Sequence, residues 1–78
     1  MASGFGSHAE GQETTAGAAN AHAEGQGTVT EEVGGHVAGK YNAVVANGLF
    51  NFGIGSGNDK RKSAMIIDGT NGKVYFID

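Results

Sequence analysis

The chain has 78 residues and a formal net charge of −3, with 15 glycines, no proline and no cysteine. A length this short permits one small domain with little interior. The lack of cysteine excludes disulfide and thiolate chemistry while leaving the redox compartment open, and the mild acidity gives no reason to expect a nucleic-acid partner or a membrane surface.

Leu, Ile, Val and Phe together make up just under a fifth of the residues, a level at which disorder has to be considered. High net charge, the other half of the disorder signature, is missing. Order supplied by association is therefore expected, with a homotrimer as the leading case. Met1-Ala2-Ser3-Gly4 has neither a basic region nor an apolar run, so a secretory signal is not expected there, and no stretch approaches membrane-spanning length.

The dominant feature is a repeat. Ser7-His8-Ala9-Glu10-Gly11-Gln12 returns fourteen residues later as Ala21-His22-Ala23-Glu24-Gly25-Gln26, and a degraded third copy follows at Gly35-His36-Val37-Ala38-Gly39. A fixed period built from small and polar residues takes priority over local propensity, because repeats decide the architecture. Fourteen residues suit one flattened coil of a β-solenoid, two short strands joined by tight turns, with the next coil about 4.8 Å further along the axis. His8, His22 and His36 then form one column, and Gly11, Gly25 and Gly39 another. The second strand of each coil aligns Thr14 with Thr28 and Asn42, and Ala16 with Thr30 and Val44. Run backwards, the register sets Ala2 on Ala16, so the chain is expected to start in mid-coil.

Successive strand residues point to opposite faces. Ser7, Ala9 and Gly11 share one face, whose small side chains suit the inside of a narrow coil. His8 and Glu10 point outward, towards solvent or a neighbouring chain.

The coils occupy about residues 7–20, 21–34 and 35–42, so that 1–42 forms a β-roll region and 43–78 a C-terminal β-hairpin region for trimerisation or for the tip. Composition changes at that boundary. The first part has five glutamates against one lysine, and the second three aspartates against four basic residues. Ala43-Val44-Val45-Ala46 and Leu49-Phe50-Asn51-Phe52-Gly53-Ile54-Gly55 flank Asn47-Gly48, a strong hairpin signal. Phe50, Phe52 and Ile54 line one face of the second strand, while Gly53 and Gly55 permit close backbone approach on the other. After a polar loop, Ser63–Asp68 and Lys73–Ile77 read as strands joined by Gly69-Thr70-Asn71-Gly72. Both are apolar on two faces, which suits burial on both sides. No helical period occurs, and the whole chain reads as all-β.

The Ser-His-Ala-Glu-Gly coils with Thr14-Thr15-Ala16 between them, ending in His36-Val37-Ala38-Gly39-Lys40-Tyr41-Asn42, resemble the head-domain repeats of trimeric autotransporter adhesins and related phage and prophage tail-fibre proteins. The resemblance covers roughly residues 2–42. It implies a left-handed parallel β-roll in an intertwined homotrimer, continued by a β-hairpin or β-prism-like C-terminal part. The function it implies is a structural fibre module that attaches a phage or a bacterium to a cell, located outside the cell or on a virion and joined to other fibre, virion or surface components. The exit through Lys40-Tyr41-Asn42 into an apolar hairpin is closer to phage fibres than to adhesin stalks.

Three readings of the residues bear on chemistry. If the histidine face points at a trimer axis, three imidazoles at one level would suit zinc. A hydrogen-bonded ladder, in which each imidazole meets Glu10 or Glu24 of a neighbouring chain, is preferred, and no metal or other cofactor is assigned. His8, Glu10, His22, Glu24, His36, Tyr41, Phe50, Phe52 and Ile54 are accordingly taken as repeat and trimer contacts. Asn58-Asp59-Lys60-Arg61-Lys62, the basic cluster, is a solvated loop that would contact a cell-surface glycan or receptor if the chain is a binding tip. Gly53-Ile54-Gly55-Ser56-Gly57 lacks the Gly-Lys-Ser/Thr and the helix of a phosphate loop, and no nucleophile, base and acid fall together, so catalysis is not expected. A small subunit polymerising into an extracellular filament through an open strand edge is the remaining alternative.

Overall fold

The computed structural model describes residues 1–77. Among them there is no helix. The strands are β1 (His8–Gln12), β2 (Thr15–Ala16), β3 (His22–Gln26), β4 (Val29–Thr30), β5 (His36–Lys40), β6 (Gly48–Ile54), β7 (Ser63–Asp68) and β8 (Val74–Phe76). They form a six-stranded sheet in the order β1-β3-β5-β6-β7-β8 and a two-stranded sheet, β2-β4. The result is a slab of 31 × 29 × 15 Å.

The first four strands of the large sheet are parallel and in strict register: His8 pairs with His22, His22 with His36 and His36 with Phe50. Each step advances fourteen residues, so the chain is a β-solenoid whose rungs repeat the backbone as well as the sequence. Positive-φ positions recur at the same interval. Gly6 (71°), Asn20 (59°) and Gly34 (70°) form one corner, and Glu13 (58°), Gly27 (62°) and Tyr41 (41°) the other. Ala2 bridges Ala16 in parallel, as the register requires.

The interior is thin and made of small groups. Ala16, Ala21, Ala23 and Val37 are fully buried together, with Ala9 and Ala18 packed against them. Thr14, Thr28 and Asn42 are buried as one column. The glycine column has a different cause from the narrow interior expected for it. Gly11, Gly25 and Gly39 have φ of 104°, 107° and 96°, and a Cβ on any of them would collide with the carbonyl oxygen of the next rung's glycine, Gly25, Gly39 or Gly53. These residues are glycine because the backbone bends there with the next rung pressed against it.

Two expectations are corrected. Val44 does not stack on Thr30: it is 51% exposed, and the small sheet ends at β4. The Asn42 side chain takes the place of a further strand, its Oδ1 accepting from Val29 N at 2.8 Å and its Nδ2 donating to Val29 O at 2.9 Å. Nor does Asn47-Gly48 join two hairpin strands. Asn47 has the positive φ that the signal implies (65°), and Gly48 N donates to Val45 O at 3.2 Å, but residues 43–46 form no strand. The turn delivers the chain to a fourth rung, where β6 gains a full parallel ladder with β5. Segment 43–46 is held instead by side chains. Asn51 Nδ2 donates to Ala43 O at 2.7 Å, and Ala43 N donates to Ser63 Oγ at 2.9 Å. The composition change after residue 42 is thus a change of side chains on a continuing sheet.

The antiparallel part follows expectation more closely. β7 pairs with β6, with two register shifts, and β8 pairs with β7. The turn between β7 and β8 is closed by Asp68, whose Oδ1 accepts from Thr70 N at 2.8 Å and Thr70 Oγ1 at 2.5 Å. The last residue of the C-terminal region, Asp78, lies outside the described residues.

Candidate functional site

The large sheet has one outward face along its whole width, and strand pairing sorts its side chains into columns. The first runs His8, His22, His36, Phe50, Ile67, Val74, and the second Glu10, Glu24, Ala38, Phe52, Met65, Phe76. A third holds Gln12, Gln26, Lys40 and Ile54. At the β1 end the face is polar and at the β8 end apolar.

The imidazoles stack. Ring centroids are 4.7 Å apart for His8 and His22 and 4.6 Å for His22 and His36, which is the rung spacing itself. Phe50 continues the stack 5.5 Å beyond His36. The carboxylates fit between the imidazole nitrogens. Glu10 Oε1 lies 3.0 Å from His8 Nε2 and 3.8 Å from His22 Nε2, and Glu24 Oε1 lies 3.2 Å from His22 Nε2 and 3.3 Å from His36 Nε2. Each glutamate therefore faces the histidine of its own rung and that of the next, and the ladder closes within one chain instead of across chains as expected. His22 Nε2 thus lies between the Glu10 and Glu24 carboxylates. One atom is left over. His22 Nε2 is buried and makes no hydrogen bond, although it is within ion-pair range of both carboxylates. Gln26 Nε2 donates to Gln12 Oε1 at 3.1 Å in the parallel amide column.

At the other end, Phe52 (42%), Ile54 (43%), Val74 (47%) and Phe76 (79%) are left in contact with water. Phe50, Phe52 and Ile54 share the face expected of them. Met65, Ile67, Val74 and Phe76 join it only through the antiparallel pairing. Met65-Ile66-Ile67 has no polar alternation to reveal which residue turns inward; in the fold Ile66 does, at 6% exposure.

Tyr41 stands apart from these columns, at the corner, with its ring over Gly27. The Arg61 guanidinium lies 5.7 Å from the centre of that ring, and its Nη1 donates to Gly27 O at 2.8 Å and Asn42 O at 3.3 Å. Its Nη2 donates to Asn58 Oδ1 at 2.7 Å. Arg61 therefore ties the loop to the third coil's exit, leaving Asp59, Lys60 and Lys62 as its exposed charges. A shallow depression is lined by Glu31, Glu32, Val44, Val45 and Ala46, and Glu32 Oε1 is engaged in accepting from Asn47 N at 3.0 Å.

The chain was compared with protein-family models, curated proteins and solved structures. None of the three comparisons finds a match. The arrangement itself can present regular columns of like side chains on a flat face.

Proposed function

We propose that the chain is a non-enzymatic structural fibre module that works as a homotrimer, part of a phage tail fibre or a bacterial surface adhesin, and so extracellular or virion-associated. The observation that carries this reading is the apolar end of the outward face, running from Phe50, Phe52 and Ile54 to Val74 and Phe76. Contiguous apolar surface of this kind marks a face that another protein covers, and a covered aromatic side chain buries roughly 150–250 Å². The family resemblance of the coils supplies the trimer and the fibre, and three copies in fixed register would let weak surface contacts act together. Sedimentation equilibrium tests the reading. A mass of three chains is expected, with F52K/F76K shifting it towards one, whereas a well-folded monomer of the unaltered chain would overturn it.

One observation favours a second reading, end-to-end assembly into a filament. β1 and β8 are the two edges of the large sheet, and free edges pair with further strands. Electron microscopy of the concentrated protein separates discrete particles from filaments.

A further inference from the structure

We infer that His22, Glu24 and His36 form a site for a single Zn²⁺-like transition-metal ion on the outward face of each chain. Two imidazoles and one carboxylate are a ligand set that such an ion accepts, with water completing four-fold coordination. The spacing carries the inference. With metal–ligand bonds of about 2.0–2.2 Å, two ligands of a tetrahedral ion stand about 3.3–3.6 Å apart. Glu24 Oε1 is 3.2 Å from His22 Nε2 and 3.3 Å from His36 Nε2, so two edges of the ligand triangle are already at or just under that length. All three ligand atoms lie within 4.8 Å of one another. The remaining edge, between the two imidazole nitrogens, closes when the rings, now parallel to within 2°, turn towards each other about their side-chain bonds. Both rings are partly exposed, and turning them exchanges their mutual stacking for bonds to the ion.

Independent support comes from His22 Nε2, buried and without a hydrogen bond. Buried polar atoms are almost always partnered, and one that is not calls for an explanation, which a bound ion supplies. The equivalent set on the preceding rung, His8, Glu10 and His22, competes for the same His22 nitrogen. It is the poorer of the two, because His8 and Glu10 are 59% and 60% exposed and already bond each other at 3.0 Å, while Glu10 Oε1 stands 3.8 Å from His22 Nε2. His22, Glu24 and His36 sit on β3 and β5, each flanked by strands on both sides, which holds their backbones in place. The inference uses one chain's residues and does not depend on the trimer.

The test is titration of the unaltered full chain with Zn²⁺ by calorimetry and with Co²⁺ by visible absorption, against H36A, E24Q and H8A. Circular dichroism serves to establish that each variant is folded. The expected result is one ion per chain, the intense visible bands of four-coordinate Co²⁺, and a loss of more than about 100-fold in affinity for H36A and E24Q, above the roughly 10–100-fold range for removing an outer-shell partner. H8A, in the same histidine column but outside the triad, should bind as the unaltered chain does. No saturable binding, six-coordinate Co²⁺ spectra, one ion per three chains, or an equal loss in H8A would each overturn the assignment. Should E24Q fail to fold, E24D, which keeps the carboxylate and shortens its reach, stands in with the same expected loss.

Discussion

Gly25→Ala tests whether the fourteen-residue period is held by backbone contact between rungs. Gly25 has φ of 107°, and a Cβ there would run into the Gly39 carbonyl oxygen and stand 3.0 Å from its carbonyl carbon. Gly72 provides an internal control: its φ is 74°, and a Cβ would meet nothing within 4 Å. Both substitutions carry the strain of placing an L-residue at positive φ, about 1–2 kcal/mol. Only Gly25→Ala must also push two rungs apart. Displacing two ladder hydrogen bonds at about 1 kcal/mol each adds ~2 kcal/mol, for a total of about 3–4 kcal/mol. A chain of 78 residues has roughly 4–12 kcal/mol of stability in all, so Gly25→Ala removes a large share of it. The assay is urea unfolding at one fixed chain concentration. With an m-value of about 1 kcal/mol/M, the Gly25→Ala midpoint should fall roughly 2 M further than that of Gly72→Ala. Coinciding midpoints would refute the argument that rung-to-rung backbone contact, and not only φ, selects glycine at this column.

Asn42→Ala should cost about 2–4 kcal/mol in the same assay, because the Asn42 amide satisfies both Val29 N and Val29 O at a position only 1% exposed. Arg61→Ala should cost about 1–3 kcal/mol by removing the donors to Gly27 O and Asn42 O, and Arg61→Lys should restore less than half of that, since an ammonium cannot span both carbonyls and lie over the Tyr41 ring. Asp68 is held below the usual carboxylate range chiefly by the Thr70 hydroxyl, then by the Thr70 backbone N–H. A depressed folded-state value means that its contribution is complete above the unfolded-state value and is lost as pH falls through the folded one. The stability difference between the unaltered chain and Asp68→Asn should accordingly be constant from about pH 5 to 8 and shrink below about pH 4; a difference that grows on acidification would contradict the sign.

The first three rungs were legible because side chains and backbone repeat together there, down to the His, Glu and Gly columns and the outward sense of His8, Glu10, His22 and Glu24; the Gly column was expected inside, yet Gly11 and Gly25 are exposed. The fourth was hidden because only the backbone repeats: Phe50 replaces histidine, Phe52 replaces glutamate and Ile54 replaces glutamine, and Gly53 is the single residue left to mark the register. Asn47-Gly48 misled for a related reason. Local propensity correctly anticipates positive φ at Asn47 but carries no information about which strand the chain will meet after the turn. The β7–β8 hairpin was readable, since its strands and turn are adjacent in sequence. At the candidate site, the outward placement of His22 and Glu24 follows from alternation alone. That Glu24 also reaches His36 follows from the rung spacing, which favours contacts within one chain over the cross-chain ladder.

The two sheets run out at different points, and this connects the fold to assembly. The small sheet stops at β4, where the Asn42 amide takes up the last strand's backbone groups. The large sheet continues for the fourth rung and two antiparallel strands beyond it. Beside the fourth rung Ala43 is pinned by Asn51 and Ser63, and Ile66 on β7 is still buried at 6% exposure. By β8 little of the described chain backs the sheet: Tyr75 on the inner side is 45% exposed, and Phe76 on the outer side is 79% exposed. A strand apolar on both faces and backed on neither would be a poor end for a solitary molecule, because each uncovered aromatic group forgoes roughly 25 cal/mol per Å² of apolar burial. The polar columns of rungs one to three need no such cover, since their histidines, glutamates and glutamines find one another along the axis. Any partner therefore gains most at β6–β8, and substitutions there should weaken self-association more than equal changes at β1.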